Sequence, residues 1–146
     1  MKRTGLAWGI MLLSFGVKWQ SDLSGAEKIA QEKHELILLN FSGSDWCGPC
    51  VRMHQEIFES DVFTRMADTS LVMMNADFPR SHRHRLDPAL QHNNDLLAEK
   101  YDPEGKFPFT LLLDAGGNVL KTWDGYPDES ADEFAGEISG ICDSRK

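Results

Sequence analysis

Cys47 and Cys50 are separated by two residues in the run Trp46-Cys47-Gly48-Pro49-Cys50. Thiols at that spacing suit three kinds of chemistry: metal ligation, a structural crosslink, or electron exchange. The run sits between an apolar hexapeptide, Leu36 to Phe41, and a stretch whose residues Val51, Met53, Ile57 and Phe58 recur at helical spacing. A Cys-x-x-Cys at a strand-to-helix transition places its first sulfur beside the unpaired N–H groups of a helix N-terminus, where positive potential favours thiolate. In such motifs the thiol pKa falls from about 8.5 to somewhere between roughly 3.5 and 7.5. Cys47 is therefore the expected nucleophile, and Cys50, one turn along, the thiol that attacks a mixed disulfide on Cys47. Gly48 permits close backbone approach, and Pro49 lies early in the helix, where its missing N–H costs little.

Two rival readings compete with electron exchange. The pair together with His82, His84 and His92 contains the ligand types of a zinc site, but the spacing fits no standard finger, so no metal is expected. A binding module whose thiols merely persist is the other, since a fold does not fix a function. The remaining cysteine, Cys142, lies near the C-terminus and reads as a small buried filler.

The elements that must position the pair follow from periodicity and punctuation. Ser21 to Glu35 reads as a helix capped by Ser21 or Asp22, and Leu36 to Phe41 as a strand buried on both faces. Ser60 or Asp61 can cap a second helical piece after the one that starts near Cys50, and Leu71 to Asp77 is the next strand. A loop containing the basic run Arg80 to Arg85 precedes a helix from Asp87-Pro88 to about Tyr101. Phe107 to Trp123 holds two strands joined at Asp114 to Asn118, and a capping box of Ser130 and Glu133 opens a C-terminal helix. Early alternation and a late hairpin imply an α/β chain with a central mixed sheet and helices on both faces.

The 146 residues, 41% of them hydrophobic, suit one domain with a substantial core. A net charge of −8 excludes a general nucleic-acid partner. At the N-terminus, positive charge in MKRT, a 13-residue apolar run and small residues at Ser14 and Gly16 read as a signal peptide over residues 1–16, leaving a domain over 17–146. The competing reading makes Ile10 to Trp19 the first strand, and the two coexist if Val17 to Gln20 form a short edge strand.

With Trp46 included, the pentapeptide is the signature of the thioredoxin family, and element order resembles that family over about residues 17 to 142. The stretch from Lys18 to Cys50 is most similar to extracytoplasmic thioredoxin-like proteins. The resemblance implies the thioredoxin fold, with an extended segment before the cis-proline strand, because the chain between Asp77 and Tyr101 is longer than in thioredoxin. It implies a cis bond at Phe107-Pro108, with the Phe107 backbone open to an incoming substrate strand and Trp46, Gly48, Pro49, Phe107 and Pro108 around the substrate. The departures are equally specific. Asn40 and Met73 stand where thioredoxins carry a buried aspartate and its lysine, and Gln55 replaces the proline that bends the active-site helix. Asp45, Glu56 or water is left to handle the resolving proton, while His54 reads as a surface or boundary residue.

The function so implied is reduction of protein disulfides by dithiol exchange through Cys47 and Cys50, in an extracytoplasmic monomer supplied by an upstream, membrane-bound thiol donor. The redox-active Cys47–Cys50 disulfide is the only active group expected, with no separate cofactor. The dipeptide Gly48-Pro49, carried by the family's reducing members, argues against the alternative of a disulfide donor or isomerase. Arg80 to Arg85 reads as a solvated loop in preference to a docking surface for an acidic partner.

Overall fold

The apolar run Leu36 to Phe41 folds, together with Ser42, as a strand buried along its whole length, β2 (Leu36–Ser42), because both of its faces are covered. It is the centre of a five-stranded sheet of order β1-β3-β2-β4-β5, formed with β1 (Trp19–Gln20), β3 (Leu71–Asp77), β4 (Phe109–Leu113) and β5 (Val119–Asp124). β1, β3 and β2 run parallel, and β4 and β5 are antiparallel additions joined by a hairpin. These positions come from a computed structural model that describes residues 18–146. The signal-peptide reading of residues 1–16 lies outside the described residues.

Period-two alternation along β2 sends Leu36, Leu38 and Asn40 to one face and Ile37, Leu39 and Phe41 to the other. The first face is covered by α2 (Gly48–Met53), α3 (Asp61–Ser70) and α5 (Ala131–Asp143), which supply Met53, Phe63, Phe134 and Ile138 to one core. The second is covered by α1 (Leu23–Lys33) and α4 (Pro88–Tyr101). Ala26 and Ala30, one helical turn apart and fully buried, let α1 lie close on the sheet. Asn94 Nδ2 donates to the Asp77 carbonyl at 3.0 Å, and Tyr101 Oη donates to the Gly117 carbonyl at 2.7 Å. The helix that follows the long connection is thus fixed at its middle and at its C-terminal end.

Three caps read from sequence are made as expected: Asp22 accepts from Gly25 N, Ser60 from Phe63 N, and Ser130 with Glu133 forms a reciprocal capping box, whereas Asp87 stands at the N-cap of α4 without a side-chain capping bond. Two local expectations are corrected. Val51, counted as part of the apolar face of the active-site helix, is exposed, because Met53 and Ile57 already fill the space against the sheet. The strand expected to begin at Phe107 begins at Phe109, after a cis Phe107-Pro108 peptide.

Candidate active site

β2 ends at Ser42, and a tight turn, in which Cys47 N donates to the Gly43 carbonyl at 2.9 Å, delivers the chain to the start of α2. Cys47 is the N-cap residue, in extended conformation, and its Sγ accepts from Cys50 N at 3.3 Å. That sulfur takes the place of the Ser or Asp oxygen that ordinarily caps a helix. Pro49 occupies the first turn of the helix, where no N–H partner is lost. Cys47 and Cys50 are joined as a disulfide, with Cα atoms 5.2 Å apart. Gly48 and Pro49 are exposed above it.

After Met53 the helix widens into a π segment, His54–Phe58, with Glu59 N donating to the His54 carbonyl at 2.9 Å. This wider turn lies over Gln55, the position where the family's bending proline is missing. The same shift brings His54 against Trp19, ring centroids 5.5 Å apart, and its Nε2 to 3.4 Å from Glu59 Oε1.

Trp46 is held on three sides. Its Nε1 donates to the Phe78 carbonyl at 2.7 Å, its ring meets Phe107 edge-on at 5.3 Å, and Gly43 lies under the indole. A Cβ on Gly43 would come within 2.2 Å of Trp46 Cε2, so no larger residue fits there with the ring in place. Phe107, half-buried, also packs against Phe78, ring centroids 5.6 Å apart. Its backbone N–H and C=O make no hydrogen bond among the described residues. Pro108 is buried, and its carbonyl accepts from Gly125 N at 2.9 Å.

Behind the disulfide lies a cavity of about 380 Å³, walled by Asn40, Ser42, Cys50, His54, Glu59 and Asn75. Its floor is a chain of neutral polar groups. Thr110 Oγ1 donates to Asn40 Oδ1 at 3.0 Å, Asn40 Nδ2 donates to Asn75 Oδ1 at 3.0 Å, and Ser42 Oγ donates to the same oxygen at 3.1 Å. Each of these short side chains is satisfied without ionisation.

A thioredoxin-like family profile matches residues 18–115 of this chain. The chain belongs to the thioredoxin-like family. It is 36% identical over 104 residues to the disulfide bond reductase DsbH of Chlamydia pneumoniae, covering 71% of this chain and 60% of that protein. It is also 30% identical over 131 residues to the thioredoxin-related protein DsbJ of Chlamydia pneumoniae, covering 90% of this chain and 37% of that one. This chain therefore spans less than two thirds of the first relative and little more than a third of the second. Among solved structures, a DsbH oxidoreductase superposes with a TM-score of 0.78 at 23% identity over 97% of this chain and 95% of that one. A thioredoxin from Thermus thermophilus superposes with a TM-score of 0.63 at 16% identity, over 86% of this chain and 87% of that one. The expected thioredoxin fold is thus the fold of this protein.

The strand register and hydrogen bonds sharpen two of the departures read from the sequence. The partner of Asn40 is Asn75, directly across β2 and β3, and not Met73, which pairs with Leu38 two residues away and lies in the apolar core. Neither carboxylate named for the resolving proton lines the cavity. Asp45 accepts from Arg80 N at 2.9 Å, Ser81 N at 2.8 Å and the His84 ring at 3.0 Å. The two backbone donors, helped by His84, lower its pKa to about 2. Glu56 accepts from Tyr126 Oη at 2.6 Å and pairs with Arg52, and these hydrogen bonds hold its carboxyl below the usual range.

The titratable groups that do border the cavity are His54 and Glu59. Sequence reasoning set His54 aside and did not name Glu59, although His54 is four residues past Cys50 and so on its side of the helix. His82 and His84 lie on the loop between β3 and α4, and His92 on α4 itself. Among the described residues no group of three or more His, Cys, Asp or Glu side chains is arranged to hold a metal ion. Cys142 is buried in the α5 core, and desolvation raises its thiol pKa.

Proposed function

We propose that this protein is a thiol:disulfide oxidoreductase that reduces disulfides of other proteins outside the cytoplasm, acting as a monomer through Cys47 and Cys50. The observation that carries the reading is the placement of Cys47 Sγ as the cap of α2, the position in which thiolate is favoured. In the reduced enzyme the Cys47 thiolate attacks one sulfur of the substrate disulfide. A mixed disulfide forms and the other substrate sulfur leaves as a thiolate. Cys50 then loses its proton and attacks Cys47 Sγ, releasing the second substrate sulfur and closing the Cys47–Cys50 disulfide. Two electrons pass from the dithiol to the substrate. An upstream thiol donor, membrane-bound in this reading, returns them.

Asn40 offers no carboxylate to accept the Cys50 proton, so the polar cavity takes that role through water, with His54 and Glu59 at its rim. Trp46, Gly48, Pro49 and Phe107 form the substrate surface, with the buried Pro108 supporting Phe107 from below, and the unpaired Phe107 N–H and C=O are the groups to which an extended substrate segment can add. The likeness to a protein named as a disulfide bond reductase supports the reducing direction. So does Gly48-Pro49, which adds no charge to stabilise the thiolate further and leaves the dithiol the better electron donor. Among the described residues no helix is long and apolar enough to cross a membrane.

Insulin reduction with dithiothreitol as donor tests the reading: turnover is expected from the native protein and none from Cys47→Ser, while Cys50→Ser accumulates mixed disulfide. Equilibration with glutathione mixtures tests direction. A potential near about −120 mV, the oxidising end of known dithiol proteins, would make the protein a disulfide donor instead.

A further inference from the structure

The basic run Arg80 to Arg85, read from sequence as a solvated loop, is built against the active site. Arg80 Cζ lies 3.7 Å from the centroid of the Trp46 ring, and Trp46 is bonded to Cys47 in sequence. Asp45 clamps the loop through the Arg80 and Ser81 N–H groups and the His84 ring, and Ser81 Oγ caps a single 3₁₀ turn over His82–His84. The loop is therefore held in one shape before anything binds, which lowers the ordering cost of an interaction.

Asp45 faces the backbone and His84 of the loop and leaves its arginine side chains unpaired. Arg80, Arg83 and Arg85 are exposed, and among the described residues none has a carboxylate within salt-bridge distance. Elsewhere near the site cations are paired: Arg52 with Glu56, and Lys106 with Glu104 and Asp124. Arg85 Nη2 donates to His82 Nδ1 at 2.8 Å, a contact that requires a neutral imidazole because guanidinium has no acceptor. Arg80, His82 and Arg85, with Leu86 and Gln91, wall a cleft of about 410 Å³ at the start of α4. All of this sits on a chain of net charge −8, so the loop is a local positive feature on an otherwise acidic surface.

We propose that this loop is a docking surface for an acidic polypeptide segment that flanks the disulfide of the partner protein. The role assigned to docking rests on the reductase reading, whereas the binding itself rests on the loop's charge and geometry. A short acidic segment lying along the cleft meets Arg80 and Arg85, with the exposed Arg83 on the intervening 3₁₀ turn, without facing the rest of the acidic surface. An extended polyanion, such as a lipid bilayer or nucleic acid, would bring further negative charge against that surface and be repelled. Because Arg80 lies on Trp46, an acidic side chain bound to it is placed beside Cys47, orienting the substrate sulfur and raising the encounter rate.

Binding of cysteine-free peptides, followed by calorimetry, tests this without depending on thiol chemistry. Three peptides of equal length would be compared, one rich in Asp and Glu, one in Ser and one in Lys. In a buffer of about 20 mM ionic strength the acidic peptide is expected to bind at least about tenfold tighter than the serine peptide, and most of that preference should vanish near about 300 mM. Arg83→Gln with Arg85→Gln should remove most of it, and adding Arg80→Gln the remainder. A single cooperative melting transition within about 4 °C of the native protein, the shift that loss of the Arg80–Trp46 contact allows, would show that the variants fold. Equal affinity for the three peptides, a preference that survives all three substitutions, or salt-sensitive binding to phosphatidylglycerol vesicles without peptide preference would each overturn the proposal. An acidic preference in a protein that fails to reduce insulin would uphold the docking surface and overturn only the reductase reading.

Discussion

Replacing Gly43 with alanine should damage the active site through a single methyl group. The backbone at Gly43 does not have positive φ, so the substitution carries no conformational penalty, and the whole effect is steric. The new Cβ would lie 2.2 Å from Trp46 Cε2, 2.4 Å from Nε1 and 2.5 Å from Cζ2. Carbon atoms in contact stay about 3.5 to 4.0 Å apart, so the indole must retreat by more than about 1 Å. That displacement breaks the 2.7 Å hydrogen bond to the Phe78 carbonyl and disturbs the edge-on contact with Phe107 and the stacking under Arg80. The hydrogen bond contributes about 1 kcal/mol net, the aromatic pair about 0.5 to 1.5 and an exposed cation–π contact about 0.5 to 1. A loss of about 2 to 3 kcal/mol is expected, which in urea moves the midpoint down by about 1 to 2 M. Gly48→Ala is the control: a Cβ there meets nothing within 4 Å, and stability should stay within about 0.5 kcal/mol of the native protein. Near-UV circular dichroism should report the moved indole in Gly43→Ala alone. If Gly43→Ala unfolds at the native urea midpoint with an unchanged aromatic spectrum, the packing of Trp46 on Gly43 is not what fixes the ring.

After reduction, iodoacetamide at neutral pH should label Cys47 first. Exposure does not decide this, since Cys47, Cys50 and Cys142 are 5%, 3% and 6% exposed; thiolate formation does, and first labelling of Cys142 would refute it. Asn40→Asp should destabilise the protein more at pH 7 than at pH 4, at about 1.4 kcal/mol for each unit by which burial raises the new carboxyl's pKa. Equal urea midpoints at the two pH values would mean that the carboxyl is solvated or that Asn75 has turned its amide to donate. Asp102→Asn should have the opposite sign. Asp102 is buried, its Oδ2 has no partner, and desolvation raises its pKa, so its folded form favours the proton and loses stability as pH rises from below its unfolded pKa through the folded one. The amide should therefore gain on the native protein at pH 7 and lose that gain near pH 3. Thermal melts at both pH values measure it, and a gain independent of pH would refute the assignment.

What was legible from residue order is what depends on near neighbours. Helix caps, the buried strand at Leu36–Ser42, the hairpin through Asp114 to Asn118 and the Cys47–Cys50 motif are set by contacts within a few residues, and periodicity reports them directly. Other features were decided only by tertiary structure. Asn75 rather than Met73 meets Asn40 because the parallel register of β2 and β3 puts those two residues opposite each other, and no local pattern encodes a register between strands 35 residues apart. Asp45 read as a free acid beside the motif, yet the fold spends its charge on N–H groups 35 and 36 residues downstream. Likewise the run Arg80 to Arg85 read as a solvated loop, and only the fold lays Arg80 on the Trp46 ring. Composition and spacing determine which chemistry a chain of this kind can perform. Long-range packing determines which charges remain free to take part, because a carboxylate or guanidinium is available only where the folded chain has not already paired it.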